Sequence, residues 1–295
     1  MLTTVTDCAP LGAADQADRI LIVAPHMDDE AIGAAGYAAD AIASGASVSV
    51  VFLTAGDCNR FCARLMFRRL NPSAEQYIAV GKTRIAESVR AGKKLGLLPE
   101  RSFILGYPDR GLKEMLARPG EIVRSTSTER LEIPYAQAVS PGAAHTLENL
   151  LDDFAGVLDV TRPTTIFTPA EFDMHPDHSA SAAIVDIALR RARIAPRRLA
   201  YLVHQSRFIR TFVWQRDAAV VPPQRMRRFS WATYDLSDRA LEIKHDVLQT
   251  YDSQRPYLTL LRNAFVRPNE LFLVQGAERL PAGMEERTPL ELVIT

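Results

Sequence analysis

Apolar residues along the chain follow two patterns. Short, largely apolar runs at Arg19–Ala24, Ser47–Leu53, Phe103–Leu105, Thr164–Thr168 and Leu199–His204 read as strands; Arg19–Ala24, Thr164–Thr168 and Ser47–Leu53, which alternates before its β-branched run, read as buried. Segments with helical spacing lie between them. Glu30–Ser44 is rich in small residues and stops at Gly45, so it predicts a helix that packs close to a sheet. Asn71-Pro72 predicts a helix start; this helix runs to Lys94 or Leu95, with Ile78, Ile85, Val89 and Leu95 facing inward and Gly96 closing it. Leu147, Leu150, Leu151, Phe154, Val157 and Leu158 mark an amphipathic helix, and Ser179–Arg193 another. Strand, helix and strand within residues 19–53 make a right-handed parallel unit. The expected fold is α/β, a Rossmann-like three-layer arrangement with a mostly parallel sheet.

The remaining patterning suggests how the chain is divided. Residues 1–18 are polar and small, an N-terminal arm; 19–206 form the Rossmann-like core. Residues 207–295 read as a β-rich, mixed C-terminal extension completing the same domain. It holds strands at Val213–Ala219 and Leu271–Gln275 and a helix from Asp238 to Asp252. Between Leu112 and His145, prolines, serines, threonines and Gly120 break the pattern, which predicts a long excursion with one short helix at Leu112–Ala117. Such excursions are uncommon unless they serve a function.

Composition narrows the field. Thirty-five basic and 35 acidic residues leave no net charge, hence no basic field for nucleic acid. Arginines cluster at Arg190–Arg198 and Arg225–Arg228, which read as a solvated helix end and a charged loop. Three cysteines (Cys8, Cys58, Cys62) make no disulfide framework and suit a reducing compartment. The first residues lack a signal-peptide pattern, and no apolar run approaches the ~18–20 residues of a membrane span. A cytoplasmic protein without a transmembrane segment is expected; nothing here sets an oligomeric state.

Two polar clusters carry the chemistry. The first strand ends in Pro25-His26-Met27-Asp28-Asp29-Glu30, and the fourth leads into Asp173-Met174-His175-Pro176-Asp177-His178. Ligands of open α/β sheets bind at the C-terminal ends of the strands. Imidazole and carboxylate suit zinc and other first-row divalent ions, and buried acids need a partner or a metal. His26 and Asp29 are candidate ligands, with Asp28 a candidate general base. The alternative is that the acids merely cap the helix beginning near Glu30. A second such cluster favours one shared divalent metal.

These residues resemble the PIG-L/LmbE-like N-deacetylases. Ala24-Pro-His-Met-Asp-Asp-Glu30 is similar to their (A/P)-H-P-D-D-E motif, and His175-Pro-Asp-His178 to their second metal motif. The resemblance continues through Thr54-Ala-Gly56, Arg84–Glu87 with Leu95-Gly96, Tyr107–Gly111, His204, Lys244 and Tyr251–Gln254. It implies a Rossmann-like fold and a zinc-dependent hydrolase that removes acetyl groups from N-acetylglucosamine-type conjugates, with Fe2+ a second candidate metal. His26, Asp29 and His178 would bind the metal and Asp28 would act as base. His175 would be general acid or oxyanion stabiliser, its imidazole held protonated by Asp177 or Asp173. By position, Arg84 and Asp109 are implied sugar contacts. Met27 replaces the usual proline, and Asp173 stands where some relatives have a tyrosine.

Other features carry less. Cys58 and Cys62 read as reduced thiols, and Trp214, Trp231 and Tyr234 as core. His204 ends a strand, where it either lines the pocket as a third substrate contact or packs as a hydrogen-bonded core residue. Two other functions compete with deacetylation of an amino sugar. One is a metal amidase for another acyl-amine, such as a thiol conjugate or an antibiotic sugar. The other is a non-catalytic sugar- or nucleotide-binding module, which the missing G-x-G-x-x-G argues against.

Overall fold

A computed structural model describes residues 8–204, 216–254 and 263–275. In chain order the elements are β1 (Ala9–Pro10), β2 (Arg19–Ala24), α1 (Asp29–Ala43), β3 (Ser47–Thr54), α2 (Arg60–Phe67) and α3 (Ala74–Leu95). Then come β4 (Ser102–Tyr107), α4 (Leu112–Ala117), α5 (Leu147–Thr161), β5 (Thr165–Pro169), α6 (Pro176–Ala192) and β6 (Arg197–Tyr201). The described part closes with β7 (Trp231–Asp235), α7 (Asp238–Gln249) and β8 (Asn269–Val274). The sheet order is β1-β7-β8-β6-β5-β2-β3-β4.

Strands β4, β3, β2, β5 and β6 are parallel throughout. Ile20 of β2 pairs with Val48 on one side and Thr165 on the other. The chain winds outward from β2 through β3 to β4, then returns to lay β5 against β2's other edge. That reversal opens a crevice at the C-terminal ends of β2 and β5, the usual ligand position in such sheets.

Helix α1 lies close to the sheet, as its small residues predict. A Cβ on Gly33 would meet the Tyr201 ring at 2.6 Å, so glycine is what admits the ring. Tyr201 in turn donates its hydroxyl to the Val23 carbonyl at 2.7 Å, tying β6 to the end of β2.

Several boundaries differ from the sequence reading. Helix α3 begins after Ser73, two residues beyond Pro72, because Ser73 and Gln76 form a reciprocal capping box. Val89 faces solvent, 58% exposed. Helix α2 is not expected from the sequence, its arginines interrupting the apolar period. Helix α6 starts at Pro176, three residues early, with His175 as its N-cap. In the extension, β8 is inserted antiparallel between β6 and β7. The strand expected at Val213–Ala219 lies outside the described residues up to 215, and 216–219 is a turn and irregular chain. The arm is not wholly superficial, since Ala9 and Pro10 pair with β7 at the sheet edge. No helix of the described residues is long and apolar enough to cross a membrane.

Candidate active site

The loop after β2 is held in an unusual backbone shape. Asp28 occupies the N-cap position of α1 at φ 126°, a region that L-residues rarely adopt. Its side chain makes no cap hydrogen bond, so the helix-cap reading of this acid does not hold. Instead Asp28 Oδ1 accepts from Arg84 Nη2 at 3.1 Å. The same guanidinium donates to the Met27 carbonyl and, at 2.8 Å, to the Gly56 carbonyl. Thr54 Oγ1 donates to the Pro25 carbonyl at 2.9 Å, so the β3 loop braces the β2 loop. Met27, standing where a proline is expected, is wholly buried. Its carbonyl is fixed by Arg84 rather than by a ring.

His26, Asp29 and His178 converge. Asp29 Oδ2 lies 3.1 Å from His26 Nδ1 and 3.1 Å from His178 Nε2. Zinc bonds of about 2.0–2.2 Å at near-tetrahedral angles hold neighbouring donors roughly 3.0–3.5 Å apart, so this spacing fits one ion. Both ring nitrogens of His178 are buried without a hydrogen-bond partner among the described residues, although Asp29 and Asp173 oxygens stand close by. A nitrogen 3.1 Å from a carboxylate oxygen yet misaligned for a hydrogen bond suits two ligands facing a common centre. Overlapping sets bring ligand atoms of His26, His175 and His178, of Asp29, His178 and His204, and of His26, Asp109 and Asp177 within 4.8 Å of one another.

The electrostatics agree with that geometry. Burial alone would lower the pKa of His178, but Asp29 and Asp173 raise it to about 9. Burial likewise opposes protonation of His26, yet Asp109, Asp177 and Asp29 hold its pKa well above the ordinary value. For Asp29 burial favours the neutral acid, and the two histidines overcome it to push the carboxyl well below its usual range. The cluster is built to accept positive charge at its centre.

The two aspartates expected beside His175 serve other partners. Asp173 Oδ2 stands 3.4 Å from His178 Nδ1 and accepts from the Val203 and His204 amides at 2.9 and 3.0 Å; its Oδ1 takes the His175 amide at 3.0 Å. Asp177 Oδ2 faces His26 Nε2 at 3.2 Å and accepts from the Arg110 amide at 2.6 Å. Each candidate metal histidine thus has a carboxylate behind it, an outer-shell pattern that orients ligating imidazoles. His175 has none. Its Nδ1 accepts from the Asp177 amide at 3.2 Å, which leaves the proton of a neutral ring on Nε2. Burial and the nearby His26, His178 and His204 rings push its pKa down to about 3, opposite to the protonated state expected.

A 710 Å3 cavity opens over these groups, within the size range of ligand sites. His26, Asp28, Asp29 and His175 line it, together with Arg84, Asp109 and His204. Of the three expected substrate contacts, Arg84 is the loop clamp just described. Asp109 accepts from the Cys58 amide at 2.8 Å and stands 3.3 Å from His26 Nε2. His204 packs edge-on against His178, ring centroids 4.7 Å apart. Cys58 and Cys62 are free thiols, Trp231 and Tyr234 are buried, and Trp214 lies outside the described residues.

The sequence reading missed Asp57, which anchors the 112–145 excursion to the pocket wall. It accepts from Ser127 Oγ at 2.8 Å and Tyr135 Oη at 2.5 Å. Ser127 itself lines the cavity. Asp57 directly follows the Thr54-Ala-Gly56 motif, the one signal that could have singled it out.

Residues 21–189, more than half of the chain, match the family described as PIG-L: GlcNAc-PI de-N-acetylase. The chain belongs to the PIG-L family. The matched span runs from β2 to α6 and so contains both polar clusters. Solved structures agree on the PIG-L fold. The A40926 pseudoaglycone deacetylase Dbv21 is 18% identical, with 87% of this chain and 96% of that one covered at a TM-score of 0.57. A zinc-inhibited form of teicoplanin deacetylase Orf2 is 19% identical, over 86% and 97%, at 0.54. The 4-carboxy-2-hydroxymuconate hydratase GalB from Pseudomonas putida KT2440 is 16% identical, over 83% and 82%, at 0.53. At these identities the likeness concerns the fold, and GalB shows that this fold carries more than one reaction. No curated protein matches in sequence.

Proposed function

We propose that this PIG-L family member is a metal-dependent N-deacetylase of acetylated amino-sugar conjugates, with His26, Asp29 and His178 holding the ion and zinc the first candidate. The observation that carries this reading is the convergence of those three donors, each histidine backed by a carboxylate, beside a substrate-sized pocket that His26, Asp28 and Asp29 line. The PIG-L description and the deacetylase neighbours support amide hydrolysis over hydration. The ion, when bound, would acidify water and polarise the acyl carbonyl.

The chain's own groups supply the rest. Asp28, fixed by Arg84, takes the proton of the attacking water and returns it to the departing sugar nitrogen. Neutral His175, its Nδ1 engaged by the Asp177 amide, presents Nε2–H to the developing oxyanion and needs no positive charge of its own. Asp173 and Asp177 orient His178 and His26.

The test is acetate release from free, lipid-linked and polymeric N-acetylated amino sugars, and from an N-acyl glycopeptide antibiotic. Asp28→Asn removes the proton acceptor but leaves the donor cluster, so turnover should fall roughly 10²–10⁴-fold while metal stoichiometry is kept. Loss of the metal in that variant would show that Asp28 is a ligand and not the base. Hydrolysis of the antibiotic alone would select the amidase reading that Dbv21 and Orf2 suggest.

A further inference from the structure

We propose that helix α2 with the turn after it is a docking element for an anionic lipid surface, which would set the mouth of the pocket against a membrane. The segment Arg60–Leu70 reads R-F-C-A-R-L-M-F-R-R-L, and no acidic residue occurs between Cys58 and Ala74. Phe61, Leu65, Met66 and Leu70 are 47%, 46%, 39% and 80% exposed. Single exposed apolar residues are ordinary on a protein surface, but clustering is not. Of the twelve large hydrophobics exposed among the described residues, these four fall within ten consecutive positions, while the others are scattered over many elements.

The inner face of the helix is packed. Cys62 and Ala63 are buried against Val80, with Phe67 and Tyr77 packed around them, so the inner face already pins α2 to α3. Asn59 caps the helix, accepting from the Cys62 amide at 3.0 Å, and is itself tied to Gln254 Oε1 at 2.7 Å. Phe61 and Leu65 stand one turn apart on the exposed side.

Charge selects the occupant. Arg60, Arg64, Arg68 and Arg69 flank the apolar side chains, and none forms an ion pair among the described residues; Arg64 Nε donates only to the Leu70 carbonyl, at 2.7 Å. Four unneutralised arginines around exposed phenylalanine, leucine and methionine are the chemistry of a helix lying in an anionic lipid interface. Arg60 and Phe61 also line the catalytic cavity, so the basic apolar face is continuous with its entrance. The overall charge of zero conceals this local field.

Co-sedimentation of the purified protein with vesicles tests this without any substrate, so its outcome is separate from that of the deacetylase reading. The protein should partition onto phosphatidylcholine vesicles containing phosphatidylglycerol, weakly onto phosphatidylcholine alone, and less as salt is raised. Arg68→Glu with Arg69→Glu should lower partition by at least roughly fivefold per arginine. Leu65→Ser with Leu70→Ser should also lower it, and because both side chains are solvent-exposed, thermal stability and metal content should stay at wild-type values. Failure to sediment with anionic vesicles overturns the proposal, as does sedimentation that all four substitutions leave unchanged. A dimer in sedimentation velocity that Leu65→Ser with Leu70→Ser dissolves, with no vesicle binding, would assign the face to a second copy of the chain instead.

Discussion

Substituting Asp173 by asparagine separates the role the structure supports from the one expected beside His175. Its carboxylate accepts three backbone amides, from His175, Val203 and His204, and faces His178 Nδ1 at 3.4 Å. Burial alone would raise its pKa; the bonds and His178 overcome that and lower it to about 2. Measured against the ordinary value of 3.8, that shift corresponds to about 2–3 kcal/mol of folding free energy. A carboxyl with a depressed folded pKa stabilises above its unfolded pKa. The contribution is complete above about pH 5 and is lost as pH falls toward about 2. The Asp173→Asn variant lacks it at every pH, so its acid and neutral stabilities should lie closer together than those of the wild type.

The same substitution would reach the proposed metal centre through His178. Removing an outer-shell carboxylate typically weakens metal binding 10–100-fold. Chelator competition on purified Asp173→Asn should show a loss of that size, with urea unfolding at neutral pH reporting a fall of about 2–3 kcal/mol. If stability falls as stated while metal affinity stays at the wild-type value, Asp173 serves only the β6 loop. The carboxylate–histidine–metal arrangement would then be refuted for His178.

Two further perturbations test how the extension supports the site. Lys244 Nζ bonds Glu270 Oε1 at 2.6 Å and the Ile32 carbonyl at 2.9 Å, while Glu270 accepts the Gly36 and Tyr37 amides of α1. Lys244→Met should therefore cost about 3–5 kcal/mol in urea unfolding by stranding a buried carboxylate, and adding Glu270→Gln should recover part of it. Glu30 is buried beside Tyr251 Oη; burial is the main cause, with Asp28 adding to it, of a pKa raised to about 8. Its unfolded form ionises near 4.5, so stability should fall as pH rises from about 4.5 to about 8 and level off above. Glu30→Gln should flatten that slope in melts taken across the range.

Much of this was legible in the sequence because buried parallel strands write themselves plainly. Ile20–Ala24 is an unbroken apolar run that ends in polar residues core packing does not explain, so strand, crevice and His26–Asp29 could be read together. His175–His178 added the second wall. Fine boundaries were harder, since Asn71-Pro72 and Ser73–Gln76 both carry start signals and only hydrogen-bond geometry ranks them. Helix α2 was hidden for a different reason. Its outward face is apolar and basic at once, so a search for an inward stripe finds no clear period.

Asp28 and Asp29 could be given separate roles from the sequence, but the partners that hold each acid were illegible because they lie far apart in the chain. Asp28 and Asp29 are neighbours, yet one faces Arg84 on α3 and the other faces His178 on α6. The family resemblance implied Asp173 or Asp177 beside His175, but Asp177 lies one residue into α6 and reaches back to His26, 151 positions away. The helix itself enforces this. With His175 as N-cap, its Nδ1 is engaged by the Asp177 amide, so the Asp177 carboxylate must point elsewhere and the ring stays neutral. Under the proposed mechanism, a neutral donor at the site of oxyanion formation beside a cationic centre would be the more economical arrangement. A second fixed positive charge there would repel the ion that His26, Asp29 and His178 are proposed to hold.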